Sequence, residues 1–319
     1  MTRAYLLDLL RILAILLVLL AHFGQLFDTA AGEFFGVKNF YYVSLGGVGV
    51  SLFLILSGLL AGMGDGPKNT GYVVYLLKKI LRIYPLYWLS VPLAIIGYLL
   101  GERLLEGHWP ELFPNGFTTD LTGSVTGFYA WMGLWGGPYN SPSWFIALIM
   151  CMYAVFPALY FFIKRWPHVT LAILLGLSVV SRWYVGQQGL PFADHSLYEG
   201  IKGWFYRQYG FMPGRPGDWF PPCRAFEFGL GVYLAVVVPK SFWFRVKLGY
   251  GRPLVILSDL AFPLFLIHYP YLFTIPYMVR MGLSGAAAVS LYMIVLLVAS
   301  YAIGRIDSRI PRNRILGKP

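Results

Sequence analysis

Three features of this chain predict an all-α, polytopic membrane helix bundle. Long apolar runs recur from one end to the other. Of the 319 residues, 58% are hydrophobic and only 12% charged, far from the averages of soluble domains. Lys and Arg, finally, gather on alternate loops, the pattern of a protein whose basic loops stay in the cytoplasm. Together these predict one domain over residues 1–319, with about eight to ten transmembrane helices and both termini cytoplasmic.

In chain order, spans are expected at roughly 5–27, 43–63, 80–100, 143–163, 168–186, 223–239, 254–278 and 284–304, each near the ~20 residues that cross a bilayer. The first run begins at Tyr5, is longer than a signal-peptide core and has no small-residue cleavage pattern, so an uncleaved first span is expected. Gly46, Gly47 and Gly49 introduce the second and suit close helix packing. The segment "LTGSVTGFYAWMGLWG" (121–136) is apolar but short and Gly-rich. A full crossing there would put Lys164 and Arg165 outside, so a re-entrant or membrane-skimming segment is expected, with further short crossings conceivable around 110–136 or 196–220. Residues 187–222 combine five prolines with Trp204, Tyr206, Tyr209 and Trp219, composition for an outer-face loop or cap at the interface. Residues 305–319 form a basic cytoplasmic tail suited to anionic lipid.

The net charge of +11 follows from the basic clusters at Lys68–Arg82, Lys164–Arg165, Lys240–Arg252 and the tail, so no nucleic-acid partner is expected. Cys151 and Cys223 suggest neither a disulfide framework nor a zinc site. His108, His168 and His195 lack metal-ligand spacing, and no metal is predicted.

The first span, "LDLLRILAILLVLLAHF", carries Asp8, Arg11 and His22, ionisable groups that hydrocarbon excludes unless they serve a purpose. Eleven helical steps from Arg11 to His22 make about three turns plus 20°, placing both on one face roughly 16 Å apart. Asp8, three residues before Arg11, joins that face. The stripe is expected to look into one helix-lined cavity, with Arg11 near the cytoplasm and His22 deep towards the outside. The blander readings are a snorkelling Asp8–Arg11 ion pair and a hydrogen-bonded packing histidine. Topology predicts two clusters. Arg11, Lys79 and Arg82 share the cytoplasmic side, where forked guanidiniums and an ammonium suit phosphates, though ends of spans carry such charge anyway. His22, His268, Trp144, Arg224 and Glu227 lie towards the outer half, with Arg224 and Glu227 spaced to pair.

Several motifs then fall in a recognisable order. "LDLLRILAILLVLLAH" resembles the first helix of the integral-membrane acyltransferase family 3, an Arg followed by ten residues and a His. Phe53, Ser57 and Gly58 match its Phe-x-x-x-Ser-Gly segment, with Ser51 where the family often has an acid. "KKILRIYPLYW" (78–88) resembles the basic start of its third helix. "PSWFIALIMCMYAVFP" (142–157) is similar to its Trp-Phe…Tyr…Pro helix, with Ile149 and Met150 where some members carry a Glu pair; this points to polysaccharide-modifying relatives. "CRAFEFGLGVYLA" (223–235) and "SDLAFPLFLIHYP" (258–270) resemble later helices. The resemblance implies a membrane O-acyltransferase of a bacterial-type inner membrane, acting on a hydroxyl of an envelope glycan or lipid-linked sugar.

Acyl transfer needs a base near the acceptor and a site for an activated donor. The expected donor is acyl-CoA, most simply acetyl-CoA, its phosphates on Arg11, Lys79 and Arg82. Catalysis is assigned to His22, Arg11 and Asp8, with His22 as general base or covalent acyl carrier, and acceptor binding to Trp144, Arg224, Glu227 and His268. A transporter or flippase using Asp8, Arg11, His22, Asp259 and His268 as a polar pathway, or an inactive scaffold for glycan assembly, are the alternatives.

Overall fold

The computed structural model describes residues 4–27, 40–64, 71–188, 216–246 and 251–312. Among these residues the secondary structure is helical, with no strand. The long elements are α1 (Tyr5–Phe27), α2 (Phe40–Met63), α3 (Tyr72–Leu105), α5 (Trp144–Arg165), α6 (Pro167–Gln188) and α12 (Gly285–Ser308). Shorter ones are α4 (Phe117–Thr126), α7 (Pro216–Trp219), α8 (Ala225–Val237), α9 (Lys240–Trp243), α10 (Arg252–Ile267) and α11 (Thr274–Arg280). Six described helices are long and apolar enough to cross a membrane, or seven if α10 and α11 form one bent span. Their outward faces are oily: Val169, Ile173, Val180 and Trp183 on α6, and Ile294, Val295 and Val298 on α12, are all exposed. Such faces need lipid as their solvent, and the chain is an integral membrane protein.

Two expected spans take another form, and the segment expected to be re-entrant or membrane-skimming is too short to cross. Residues 223–239 make a 3-10 turn at Pro221–Arg224 followed by α8, whose 13 residues reach only about 20 Å of a ~30 Å hydrocarbon core. Residues 254–278 break after Ile267 and bend by 61°. Pro270 has no N–H and its ring crowds the carbonyl four residues back, which ends a helix there. Segment 121–136 is α4, closed by a left-handed Gly127, then a 3-10 turn at Tyr129–Met132. The buried Tyr129 hydroxyl donates to the Asp120 carbonyl at 2.6 Å and lies 2.9 Å from Ser124 Oγ. This compact knot is too short to cross. The third span is longer than expected, 34 residues with Pro85 and Pro92 inside. Most of the aromatic outer loop, with Trp204, Tyr206 and Tyr209, lies outside the described residues. Trp219, at its end, is buried edge-on against Trp131.

The chain divides into two compact units. The first comprises Met1–Phe53, Leu81–Asn115 and Trp243–Pro319; the second comprises Leu54–Ile80 and Gly116–Phe242.

In the first unit α1 and α10 run parallel. The Tyr5 ring abuts Gly251, Asp8 and Arg11 meet Ser258, and His22 meets His268. Helix α12 returns antiparallel, with Tyr292 beside His268 and Gly304 beside Pro263. Tyr271 donates to the Leu93 carbonyl of α3 at 2.8 Å. Arg312 donates to the Leu81 carbonyl at 2.7 Å and pairs with Asp307, so the start of the expected basic tail is tied to the bundle; residues 313–319 lie outside the described part.

In the second unit α6 and α8 are antiparallel neighbours, and α8 crosses the end of α2 at backbone contact. A Cβ at Gly58 would lie 2.1 Å from the Phe228 carbonyl oxygen, and one at Gly231 would lie 2.0 Å from that of Ile55. Each glycine sits where the other helix's backbone passes, the packing by which membrane helices maximise contact without a hydrophobic drive. Gly58→Ala and Gly231→Ala are therefore expected to cost about 3 kcal/mol each, the upper range for overpacking. Cys223 is fully buried, so its thiol reactivity during heating, read in a Cys151→Ser background, reports unfolding. An unchanged transition in both variants would contradict the crossing.

Candidate active site

The α1–α10 seam carries polar groups at both ends. At its beginning Asp8 is 2% exposed. Its Oδ1 accepts from Ser258 Oγ at 2.7 Å and from Arg11 Nη1 at 3.2 Å, and Arg11 Nη1 is also 3.4 Å from Ser258 Oγ. The expected ion pair forms, on the expected face, with Arg11 one-quarter exposed. Ser258 was not anticipated. It is one hydroxyl in "LVILSDLAFP", and the more conspicuous Asp259 beside it is exposed.

Near the other end of α1 the His22 ring lies 5.1 Å, centre to centre, from that of His268 and 5.2 Å, edge-on, from that of Tyr269. His268 is wholly buried at the break after α10. Its Nδ1 faces the Phe265 and Leu264 carbonyls at 2.9 and 3.1 Å. Carbonyls only accept, so Nδ1 carries the hydrogen and Nε2 the lone pair. Nε2 has no hydrogen-bond partner among the described residues. The broken helix leaves the His268 carbonyl without its usual helical donor, and the Tyr292 hydroxyl of α12 donates to it instead. Sequence reasoning placed both histidines towards the outer half; their contact, and the roles of Tyr269 and Tyr292, come from the fold.

Between Arg11 and His22 this face of α1 carries apolar side chains. Ile15 and Val18 occupy the same face of α1 between them, and each is 2% exposed. Both are packed as core residues are, Val18 with its Cγ2 against Gly49 of α2. A cavity of about 460 Å³ in this unit lies among Leu93, Tyr271, Thr274, Tyr292 and Leu296. The Tyr271, Thr274 and Tyr292 hydroxyls in its wall all donate to backbone carbonyls, so the wall is apolar and unsuited to phosphates.

The three predicted phosphate ligands have three settings. Arg11 is held in the seam. Lys79, in the second unit, places Nζ 4.5 Å over the Tyr153 ring and 5.4 Å over that of Tyr75, cation–π geometry. Arg82, in the first unit, is exposed.

The predicted acceptor residues of the second unit form a brace. Trp144 opens α5, buried against Trp135 at 5.1 Å. Arg224 spends Nε on the Asp218 carbonyl at 3.0 Å, Nη2 on Asp218 Oδ1 at 3.1 Å and Nη1 on Glu227 Oε1 at 2.9 Å. The same Glu227 oxygen accepts from Arg182 of α6, whose Nε donates to the Cys223 carbonyl at 2.7 Å. Ser178 Oγ, also on α6, donates to the Pro222 carbonyl and accepts from Phe226 N–H, satisfying an orphan donor in the first turn of α8. The Arg224–Glu227 pair was legible from spacing. Arg182 was missed, although an arginine inside an apolar span is itself a signal for a buried partner. Removing the shared acid leaves two guanidiniums facing one another. Glu227→Ala is expected to destabilise by about 3–5 kcal/mol, lowering the Cys223 exposure temperature more than Arg182→Ala does; the reverse order would contradict the brace.

An acyltransferase-domain family model matches residues 5–249, from α1 through α9 and ending before α10. Over 246 residues the chain is 26% identical to "Acyltransferase MdmB" of Streptomyces mycarofaciens, covering 73% of this chain and 57% of that protein. Over 157 residues it is 25% identical to "Exopolysaccharide production protein ExoZ" of Rhizobium meliloti (strain 1021), covering 46% and 44% respectively. The chain therefore spans about half the length of the curated relatives it matches. No solved structure gives a significant match. With the family match running over most of the chain and Arg11 and His22 aligned on one seam of the first helix, the protein belongs to the integral-membrane acyltransferase family 3.

Proposed function

We propose that this protein is an O-acyltransferase that moves an acyl group, acetyl in the simplest case, from cytosolic acyl-CoA to a hydroxyl of an envelope glycan or lipid-linked sugar precursor at a bacterial-type cytoplasmic membrane. The observation that carries the reading is the polarised seam of α1. A guanidinium is held in place by Asp8 and Ser258 at one end, and an imidazole is set against a second imidazole and a tyrosine near the other. The family and the name of the ExoZ relative support the transferase chemistry and the polysaccharide setting.

In this mechanism His22 takes the proton of the acceptor hydroxyl as its oxygen attacks the thioester carbon. The C–O bond forms, the C–S bond breaks, and the departing thiolate regains the proton from His22. A base placed in this way contributes about 10²–10⁴-fold. Arg11, oriented by Asp8 and Ser258, offers a forked cation to the donor's phosphates, with Lys79 and Arg82 as further cationic contacts. Arg224 and Glu227 serve the acceptor side by bracing α6 and α8, where Trp144 and neighbouring aromatics supply faces for a sugar.

The test is transfer of labelled acetyl from acetyl-CoA into glycan by membranes containing the protein. His22→Ala is expected to lose at least 100-fold in rate, and wild-type transfer by that variant would overturn the mechanism. Arg11→Lys is expected to keep turnover but raise the KM for acetyl-CoA several-fold, since a point charge does not reproduce the fork. Unchanged KM would remove Arg11 from donor binding. Movement of a sugar-linked solute into vesicles without any acyl donor would favour the transporter reading instead.

A further inference from the structure

His268 has features that packing alone does not require. Its ring is completely buried, yet it is placed by three backbone interactions: Nδ1 on the Phe265 and Leu264 carbonyls, and its own carbonyl bound by Tyr292. These fix the ring and its tautomer together, leaving the Nε2 lone pair as the unused group. A buried acceptor without a partner costs on the order of 1–3 kcal/mol, so something nearby is expected to use it. The closest ring is that of His22. The ring centres are 5.1 Å apart; Nε2 is not hydrogen-bonded in this geometry, and a rotation of the His22 ring is what brings one of its nitrogens to the ~3 Å of a hydrogen bond.

We propose that His268 is the positioning partner of His22: its Nε2 lone pair accepts the N–H of the His22 imidazole. This rests on the reading of His22 as the base. A histidine base works only in the tautomer whose lone pair meets the acceptor hydroxyl, and a hydrogen bond to its other nitrogen selects that tautomer. In serine hydrolases a carboxylate does this and also stabilises the imidazolium. A neutral imidazole does the same here without placing an anion beside apolar α1 and α10. When His22 holds the acceptor's proton, both its nitrogens carry hydrogen, and the bond to His268 becomes charge-assisted and stronger. His268 gains and loses no proton in the cycle. Its Nδ1–H stays on the carbonyls throughout.

Two substitutions separate this role from packing. The amide oxygen of glutamine can take the place of Nε2, whereas asparagine can restore a donor near Nδ1 and leaves the Nε2 position empty. In labelled-acetyl transfer from acetyl-CoA, His268→Gln is expected to stay within about threefold of wild type. His268→Asn is expected to lose about 100-fold in kcat, within the range for general-base catalysis, with KM for acetyl-CoA unchanged. Equal activity of His268→Asn and wild type overturns the proposal, as does a Gln variant poorer than Asn, the order a purely structural Nδ1 anchor produces. A second measurement needs no folded His268 variant. In ¹⁵N-histidine-labelled protein in lipid, the His268 Nε2 resonance is expected to show a hydrogen-bonded acceptor and to shift on His22→Ala. An unmoved resonance overturns the pair. If the resonance moves while His22→Ala still transfers acetyl normally, the pair stands and the base reading fails, so the two failures are distinct.

Discussion

The carboxylate of Asp8 is the constraint around which the first unit is arranged. An ionised acid inside a membrane helix is tolerated only when other groups replace its water. The helix supplies one of these, Arg11, a turn later. The other, Ser258, comes from a segment about 250 residues away in the chain. Satisfying Asp8 therefore docks α10 against α1, in parallel and in one register. Once Ser258 lies level with residues 8 and 11, ten further residues of α10 bring His268 level with His22. Two parallel helices of equal rise stay in step, so one buried charge near the start of the seam places the imidazoles near its end.

The second unit follows the same rule with different materials. One of its buried acids, Glu227, lies between Arg182 and Arg224, and the guanidiniums reach on to backbone carbonyls and Asp218. The helices here approach through glycine where backbone meets backbone. Some relatives of this family carry paired acids where this chain has Ile149 and Met150. Here Ile149 is buried on α5, and the acids buried in this unit are Asp120 on α4 and Glu227 on α8. That chemistry belongs to a scaffold more than to a proton-transfer site.

A neutral orienting partner suits such a setting. Imidazole against imidazole carries no net charge in the resting state, whereas a carboxylate in the same place would require a further cation to hold it. Along α1 itself, apolar side chains separate Arg11 from His22.

Composition and hydropathy alone determined that this is an all-helical membrane protein. Helical spacing alone put Asp8, Arg11 and His22 on one face and paired Arg224 with Glu227, because those relations depend only on 1.5 Å and 100° per residue. Motif order led to the family. The sequence was less informative where a helix is short or broken: α8 reads as a span because its neighbours are apolar, and the break at His268 is announced only by Pro270. What spacing could not supply was the partner of each polar group. Ser258 for Asp8, Arg182 for Glu227 and His268 for His22 each come from a distant segment, and no local period encodes which distant segment will lie alongside. Only the packed structure decides that, because burial obliges each charge or lone pair to find its complement wherever the chain can bring one.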